Sequence, residues 1–340
     1  MAAGFGRSLG VTLLPMTNSM REFVLKGVRE QAHNTTLRFT EEDVGRVVVS
    51  RFAQSEILVN IEDELNGRDV IIFFSYEPPI NERITELRFA MQVAKRAGAD
   101  RITVIAGYAP YSRGEKQDQY HSSIAFKDFA DSLNLYNACF ITCEIHSPIA
   151  MGFFDEPSRE LSLRDILMAE VRMGSEVAVV VSTDVGGVKD VRKWSEALYI
   201  DKNRYLAKAV VDKMRTGNDD SSMAEQCFGA DVNGKNVLVV DDEAMTLGTL
   251  VSAAKVLQKA GAKSIRAAAY HGVLVGSAIQ RLLDSPIQEL IVTNTVYVPQ
   301  DKLDQAKGKL RAIPIERFLV EAARRWHVGE SLRSMIEYAK

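Results

Sequence analysis

Cysteine is scarce in this sequence, with only Cys139, Cys143 and Cys227 among 340 residues. None of the three forms a CxxC pair, so the sequence offers no metal or redox motif of that type. A few unpaired thiols fit the reducing environment of the cytoplasm. We therefore expect three packed, inert thiols in a cytoplasmic protein.

Long apolar runs and an excess of positive charge are also missing. No apolar stretch approaches the roughly 20 residues that a membrane-spanning helix needs. The start, MAAGFGRSLGVTLLP, lacks the long apolar region and the small-residue cleavage site of a signal peptide. The formal net charge of −3 argues against a nucleic-acid-binding surface spread over the whole protein. We expect neither nucleic acid nor membrane as a partner.

Strand-like apolar runs alternate with amphipathic helical segments along the chain. The run RDVIIFFS (68–75) precedes a helical pattern over 80–99, and KNVLVVDD (235–242) precedes another over 248–262. This alternation predicts an α/β fold with mostly parallel sheets flanked by helices, which bind ligands at the carboxyl ends of the strands.

The second half of the chain repeats the scheme of the first half, which predicts two α/β domains of the same type. With 340 residues and 46% hydrophobic residues, both domains can bury a core. The stretch 153–162 is typical of a linker. We expect an N-terminal domain over 1–155 and a C-terminal domain over 156–340, with a mobile excursion at the polar, glycine-rich stretch 214–234.

The stretch VLVVDDEAMTLGTL (237–250) admits two interpretations. Its first half is typical of the start of a bacterial receiver domain, where paired acids hold Mg²⁺ beside a phospho-accepting aspartate that ends the third strand. In this chain the corresponding strand ends in Asn294 and Thr295, and Asp284 precedes it. The receiver interpretation therefore lacks its phospho-accepting residue.

The second half of this stretch favours a phosphate-binding loop at a helix start, here named the TLGT loop. It consists of Thr246, Leu247, Gly248 and Thr249. Unpaired N–H groups and the positive end of the helix dipole attract anions there, and Gly248 permits close backbone approach. The acid pair, Asp241 and Asp242, can accept hydrogen bonds from vicinal sugar hydroxyls. We predict that the pair binds ribose hydroxyls and the loop a 5-phosphate; an ordinary strand–helix turn is the alternative.

The pattern strand–DD–xxx–T–x–G–T–L resembles the 5-phosphoribosyl-1-pyrophosphate (PRPP) loop shared by type I phosphoribosyltransferases and ribose-phosphate pyrophosphokinases. Further segments resemble the pyrophosphokinases in order, from about residue 45 to the C-terminus. They are RFAQSEILVNIEDELNGRDVIIFFS, GYAPYSRGEKQD, CEIHSPIAMGFFDEP, VVVSTDVGGVKDV and YIDKNRY.

The resemblance implies two tandem type I phosphoribosyltransferase-like domains in a homo-oligomer, a hexamer built from dimers. It also implies Mg²⁺ and transfer of the β,γ-pyrophosphoryl group of ATP to the 1-hydroxyl of ribose 5-phosphate, giving PRPP and AMP.

The resemblance also assigns roles to single residues. The residues that would contact ATP are Phe52, Glu56, Arg113 and His146. His146 and Asp184 would help to place Mg²⁺. Lys202 and Arg204 lie on the segment that resembles the family's catalytic arm, where two cations would stabilise the transferring phosphoryl group.

The sequence departs from the family at positions expected near the substrates. Met245 stands where the family usually has aspartate, and Leu247 where it usually has glycine, which predicts a less acidic and more apolar 5-phosphate pocket. On the ATP side, Gln54 stands where aspartate is usual. These changes leave open the same reaction on a 5-substituted ribose phosphate such as ADP-ribose, which would give ADP-ribose pyrophosphate.

Two further alternatives belong to other classes of function. A catalytically silent homologue that regulates a true synthetase is expected to lose the arm cations and the acid pair, yet this chain keeps both. A phosphoribosyltransferase that consumes PRPP would need only one such domain and no Lys-x-Arg arm. The sequence therefore favours ATP-dependent pyrophosphoryl transfer to a ribose 5-phosphate-type acceptor.

Overall fold

A computed structural model describes residues 10–31, 37–117, 119–174, 176–198, 206–215 and 223–336. The chain divides into two compact units. The first combines the described parts of Met1–Ser162 and Ile315–Lys340, and the second comprises those of Leu163–Pro314. The expected boundary at 155/156 and the expected run of the second domain to the C-terminus therefore differ from the observed division.

Strands and helices alternate within the described residues. The strands there are Val11–Pro15 (β1), Val47–Arg51 (β2), Ile57–Ile61 (β3), Asp69–Phe74 (β4), Arg101–Ala106 (β5), Cys139–Cys143 (β6), Ser158–Leu161 (β7), Val179–Ser182 (β8), Ala207–Arg215 (β9), Met223–Gly229 (β10), Asn236–Glu243 (β11), Ser264–His271 (β12), Glu289–Thr293 (β13) and Leu310–Ile313 (β14). The α-helices there are Asn18–Arg29 (α1), Ile80–Arg96 (α2), Ala125–Asn134 (α3), Arg164–Arg172 (α4), Val188–Ala197 (α5), Gly248–Lys259 (α6), Ala278–Leu283 (α7), Gln300–Gln305 (α8) and Glu316–Val328 (α9). Short 3-10 helices span Glu41–Asp43, Pro148–Phe153 and Arg333–Met335. None of the helices in this part of the chain has the length and apolar character to cross a membrane.

The first unit is built on a parallel sheet, which in its described residues has the strand order β1-β4-β5-β6-β7. Every residue of β4 and β6 is buried. Uninterrupted burial is expected where both faces of a parallel sheet are covered, which is why these strands appear in the sequence as continuous apolar runs. Leu87 of α2 and Phe126 of α3 join Ile72 of β4 in one buried core.

A separate antiparallel hairpin, β2–β3, extends the first unit. Arg51 pairs with Ile57 at its closed end, and the connecting loop spans residues 52–56. The side chain of Arg51 forms ion pairs with Glu82 and Glu86 of α2. These contacts hold the closed end of the hairpin against α2.

The last strand of the first sheet lies inside the stretch expected to be a linker. Residues 158–161 form β7, which pairs in parallel with β6. The prediction of a linker over 153–162 is therefore wrong for these residues. Its polar sequence, SREL, is compatible with a strand because β7 is the edge of the sheet and three of its four residues keep some solvent exposure.

The second unit is built on a larger sheet, whose described strands have the order β10-β9-β8-β11-β12-β13-β14. Apart from the antiparallel pair β9–β10, these strands are parallel. Val239 of β11, Leu257 of α6 and Leu290 of β13 belong to its core. Because β8 and β11 are parallel neighbours, their carboxyl ends meet at one edge of the sheet.

Part of the stretch 214–234 has regular structure. Residues 223–229 form β10, which pairs with β9 from Met223 opposite Arg215 to Gly229 opposite Ala209. The expectation of a mobile excursion is therefore wrong for β10, and residues 216–222 lie outside the described residues. Backbone pairing with β9 provides the order that the polar composition did not predict.

The C-terminal helix α9 packs on the first unit. A Cβ atom on Gly27 of α1 would lie 2.6 Å from the carbonyl oxygen of Glu316, so the two helices are in close contact. Trp326 Nε1 donates to Thr103 Oγ1 of β5 over 2.9 Å, and His327 Nδ1 lies 2.7 Å from Asp69 Oδ2 of β4. These contacts, made hundreds of residues away along the chain, are the physical reason for the shifted domain division.

Candidate active site

The acid pair lies at the carboxyl edge of the second sheet, where Val240 of β11 is paired with Ser182 of β8. The Thr183 hydroxyl donates to Asp241 Oδ2 over 3.1 Å, and the Asp242 N–H donates to Asp241 Oδ1 over 2.9 Å. Asp241 is therefore fixed from both sides at the edge where parallel sheets bind ligands.

The electrostatics of the acid pair favour a shared proton. Burial, together with the charge and the side-chain hydrogen bond of Asp242, raises the pKa of Asp241 to about 8, whereas the hydrogen bonds from the Thr183 hydroxyl and the Asp242 N–H lower it. Asp241 thus holds a proton at neutral pH, so the pair offers an O–H donor as well as carboxylate acceptors. Sugar hydroxyls both donate and accept hydrogen bonds, and such a pair suits two of them side by side.

Asp184 follows β8, two residues beyond Ser182. Its Oδ1 accepts the N–H of Gly187 over 2.9 Å, and its carbonyl accepts the Ser182 hydroxyl over 2.6 Å. The carboxylate is exposed, and Oδ2 accepts no hydrogen bond from the described residues. The turn therefore presents one oriented carboxylate oxygen to solvent.

The donor set around Asp184 fits a cation that arrives with its substrate. Nowhere in the described part of the chain do three or more histidine, cysteine, aspartate or glutamate side chains cluster as metal ligands. Mg²⁺ is usually held by one or two carboxylates, water and substrate phosphates rather than by a protein cage. A single exposed carboxylate oxygen is compatible with that kind of binding.

The TLGT loop lies between β11 and α6. The two residues before it are hydrogen-bonded to the end of β12 and to the segment that follows β12. The Ala244 N–H donates to the His271 carbonyl over 2.8 Å, and the Met245 carbonyl accepts the Val275 N–H over 2.9 Å. Thr246, Gly248 and Thr249 are exposed. The N–H groups of Gly248 and Thr249 donate to no acceptor in the described residues, so the start of α6 presents unpaired donors to solvent.

Leu247 contributes to the core instead of the pocket. Its backbone is left-handed, with φ of 62°, and its side chain is only 3% exposed, in the same core as Leu250 and Ala278. The prediction that Leu247 lines the 5-phosphate pocket and makes it more apolar is therefore wrong for its side chain. The residue can offer a ligand only its backbone, while Met245 next to the loop is half-buried.

This conformation predicts the order of stability of two Leu247 variants. Leu247→Ala loses a buried side chain, about 2–5 kcal/mol, and keeps the left-handed backbone. Leu247→Gly loses the same contacts but relieves roughly 1–2 kcal/mol of backbone strain. We expect both variants to unfold at lower urea concentration than the wild type, with Leu247→Ala the less stable. The reverse order in urea unfolding would contradict the observed backbone conformation.

Two residues beside this site were not predicted. Thr183 stands at a strand end, so a polar residue opposite the acid pair could have been found from the parallel arrangement of β8 and β11. Arg281 of α7 donates from Nη1 to the Thr246 carbonyl over 3.1 Å, although 35 positions separate the two residues. No feature of the sequence signals that contact.

The candidate ATP residues lie in three segments of the first unit. Arg113 follows β5 and His146 follows β6, so both stand beyond the carboxyl ends of adjacent parallel strands, and both are exposed. Phe52, 53% exposed, and Glu56 lie in the hairpin loop, outside that sheet. Gln54 Nε2 donates to Glu56 Oε2 over 2.6 Å, so the residue that departs from the family pattern contacts a candidate ATP-binding residue of the same loop.

Lys202 and Arg204 lie outside the described residues, as does the intervening Asn203. Their catalytic role therefore remains a prediction from sequence.

Known proteins resemble this chain along most of its length. The family model for the N-terminal domain of ribose phosphate pyrophosphokinase matches residues 25–136, and that for the phosphoribosyl synthetase-associated domain matches residues 223–337. The ribose-phosphate pyrophosphokinase of Deinococcus radiodurans is 32% identical over 296 residues, which cover 86% of this chain and 90% of that protein. That of Aquifex aeolicus is 32% identical, over 92% of this chain and 99% of its own.

A solved structure extends the likeness to the fold. The crystal structure of phosphoribosylpyrophosphate synthetase from Mycobacterium smegmatis aligns with a TM-score of 0.81 and 27% identity, covering 94% of this chain and 99% of that one. The expected fold, two tandem type I phosphoribosyltransferase-like domains, is confirmed by this likeness together with the two mostly parallel sheets.

Proposed function

Because the chain belongs to the ribose-phosphate pyrophosphokinase family, we propose that it transfers the β,γ-pyrophosphoryl group of ATP to the 1-hydroxyl of ribose 5-phosphate. The bond between the 1-oxygen and the β-phosphorus forms, the bond from that phosphorus to the α,β-bridging oxygen breaks, and the hydroxyl proton is released. The products are PRPP and AMP. The observation that carries the proposal is the acid pair at the sheet edge, followed directly by the unpaired N–H groups at the start of α6.

The acceptor side of the reaction rests on the second unit. In this proposal Asp241 and Asp242 bind the ribose hydroxyls, which orients the 1-hydroxyl. The TLGT loop binds the 5-phosphate through its backbone N–H groups and the hydroxyls of Thr246 and Thr249. Positioning of this kind supplies much of the rate enhancement when a reaction needs no covalent intermediate.

The nucleotide side rests on residues assigned by resemblance. We propose that Phe52, Glu56, Arg113 and His146 bind ATP. Asp184 would bind Mg²⁺ through its exposed carboxylate oxygen, and His146 would help to hold Mg–ATP. When bound, Mg²⁺ neutralises charge on the phosphates. Lys202 and Arg204 would stabilise negative charge on the transferring group.

Ribose 5-phosphate is favoured over a larger acceptor. One of the two departures that pointed to ADP-ribose was Leu247, and its side chain is buried in the core, where it cannot reshape the pocket. The acceptor of the proposed reaction is therefore the simple sugar phosphate, with ADP-ribose as the comparison compound in its test.

The test follows AMP release from ATP in the wild type and in Lys202→Ala. We expect release to require both an acceptor and Mg²⁺, to be faster with ribose 5-phosphate than with ADP-ribose, and to fall about 100-fold in Lys202→Ala. An unchanged rate in Lys202→Ala would overturn the assigned mechanism. Preference for ADP-ribose would overturn the assigned acceptor, and silence with both acceptors would indicate a regulatory homologue.

The setting of the reaction follows from the same resemblance. We propose that the protein acts in the cytoplasm as a homo-oligomer, a hexamer built from dimers. Light scattering coupled to size-exclusion chromatography measures that mass directly.

A further inference from the structure

Arg281 lies beside the TLGT loop, and its side chain makes one hydrogen bond to the residues that the structure describes. Its Nη1 donates to the Thr246 carbonyl over 3.1 Å. A Cβ atom placed on Gly248 would lie 3.7 Å from that Nη1 and 3.7 Å from Thr246 Oγ1. The guanidinium therefore lies beside Gly248, the first residue of α6.

No acid in the described residues neutralises this guanidinium. Arg281 is exposed and forms no ion pair among them. The acid three positions further along, Asp284, has both carboxylate oxygens occupied by Gln280 Nε2, at 3.0 and 2.9 Å. A guanidinium carries five N–H donors. Among the described residues, one donor of Arg281, on Nη1, is hydrogen-bonded, to the Thr246 carbonyl.

An anion at the start of α6 would meet both kinds of donor. The unpaired N–H groups of Gly248 and Thr249 attract it, but a short helix end alone supplies only partial charge. A full positive charge beside Gly248 complements a phosphate, and the planar fork of arginine can donate two parallel hydrogen bonds to one. The bond to the Thr246 carbonyl also orients that fork.

We propose that Arg281 is a further binding residue for the 5-phosphate of the acceptor, anchored through the Thr246 carbonyl. This inference rests on the proposed function of the acid pair and the TLGT loop. It adds a specificity element: the site selects a dianionic phosphate by a full charge on a neighbouring helix as well as by backbone N–H groups.

The experiment compares the KM for ribose 5-phosphate with the KM for ATP in Arg281→Gln and Arg281→Lys. We expect the acceptor KM to rise about tenfold in Arg281→Gln and about threefold in Arg281→Lys, which keeps the charge but loses the fork. The KM for ATP should stay within about twofold, and added KCl should raise the acceptor KM of the wild type more than that of Arg281→Gln.

A matched control removes an exposed cation from α6 itself. Lys255 is exposed and about two helical turns from Gly248, so Lys255→Met should leave both KM values unchanged. An unchanged acceptor KM in Arg281→Gln would overturn the proposal. A parallel rise of both KM values with a lower melting temperature would also overturn it, because that pattern marks a structural role.

Failure of the proposed function gives a different result. In that case the wild type releases no AMP with ribose 5-phosphate. Calorimetric titration of the wild type and Arg281→Gln with ribose 5-phosphate then tests the binding role without catalysis, and equal affinities would reject it.

Discussion

Replacement of both members of the acid pair by asparagine is expected to reduce kcat/KM for ribose 5-phosphate by roughly 10³-fold. At neutral pH the pair consists of one carboxylate and one protonated acid. A hydrogen bond to a charged group contributes about 1.5–3 kcal/mol and a neutral one about 0.5–1.5 kcal/mol, and both kinds would be lost. Asparagine keeps the size of each side chain and the contact of residue 241 with Thr183. The loss therefore reports the missing acids and not a collapsed site. Initial rates of AMP release at varied ribose 5-phosphate measure it.

Asp241→Asn alone should make the second unit more stable at alkaline pH. Because the folded-state pKa of Asp241 is raised to about 8 from the ordinary value of 3.8, the folded protein keeps a proton that the unfolded chain has already lost. Stability tied to this group is therefore complete below about pH 4 and declines as the pH rises through about 8. Asparagine removes that decline, and one pKa unit alone corresponds to about 1.4 kcal/mol.

The measurement is urea unfolding of the wild type and Asp241→Asn between pH 4 and pH 9. We expect the two curves to approach each other near pH 4 and to separate by at least about 1.4 kcal/mol at pH 9. Asp301 of α8 is exposed, and Asp301→Asn serves as the control with no pH-dependent difference. A variant that is less stable than the wild type at pH 9 would contradict a raised pKa at Asp241. A gain in stability with a loss of activity is the expected trade-off for a functional acid.

The central strands could be predicted from sequence because burial leaves a local signature. The run 235–242 was expected to be a strand, and Asn236–Glu243 form β11, with four consecutive buried residues. The run 68–75 likewise contains β4. In both places a parallel strand covered on both faces needs an unbroken apolar stretch, which a single sequence displays directly.

Features set by distant residues could not be predicted in this way. His327 contacts Asp69 across 258 positions, and Arg281 contacts Thr246 across 35. Neither pairing leaves a periodic pattern. The prediction for Leu247 is wrong for another reason. It places an apolar side chain in the phosphate pocket, whereas the left-handed backbone turns that side chain into the core. The acid pair was found because its residues are consecutive and follow a recognisable strand.

The second large effect is expected at Asp69, where the C-terminal helix joins the first sheet. Asp69 is fully buried and accepts hydrogen bonds from Arg101 Nε over 3.0 Å and from His327 Nδ1 over 2.7 Å. Asp69→Ala leaves the partly buried guanidinium of Arg101 without its carboxylate. Breaking a buried ion pair by removing one partner is typically destabilising by about 3–5 kcal/mol. We expect a loss of that size in urea unfolding at pH 7.

The pH dependence separates this ionic contribution from simple loss of packing. Burial alone would raise the pKa of Asp69, but hydrogen bonds and charge from His327 and Arg101 outweigh it and hold the pKa below its ordinary value of 3.8. The stabilisation is therefore complete above about pH 4 and is lost as the pH falls through the lowered folded-state value. The unfolding free energies of wild type and Asp69→Ala should converge below pH 4, whereas a packing defect alone would keep them apart.

Asp100 is the exposed neighbour of this network, and Asp100→Ala should change stability by less than about 0.5 kcal/mol at any pH. Convergence confined to Asp69→Ala would identify the buried carboxylate as the ionic link between α9 and the sheet of the first unit.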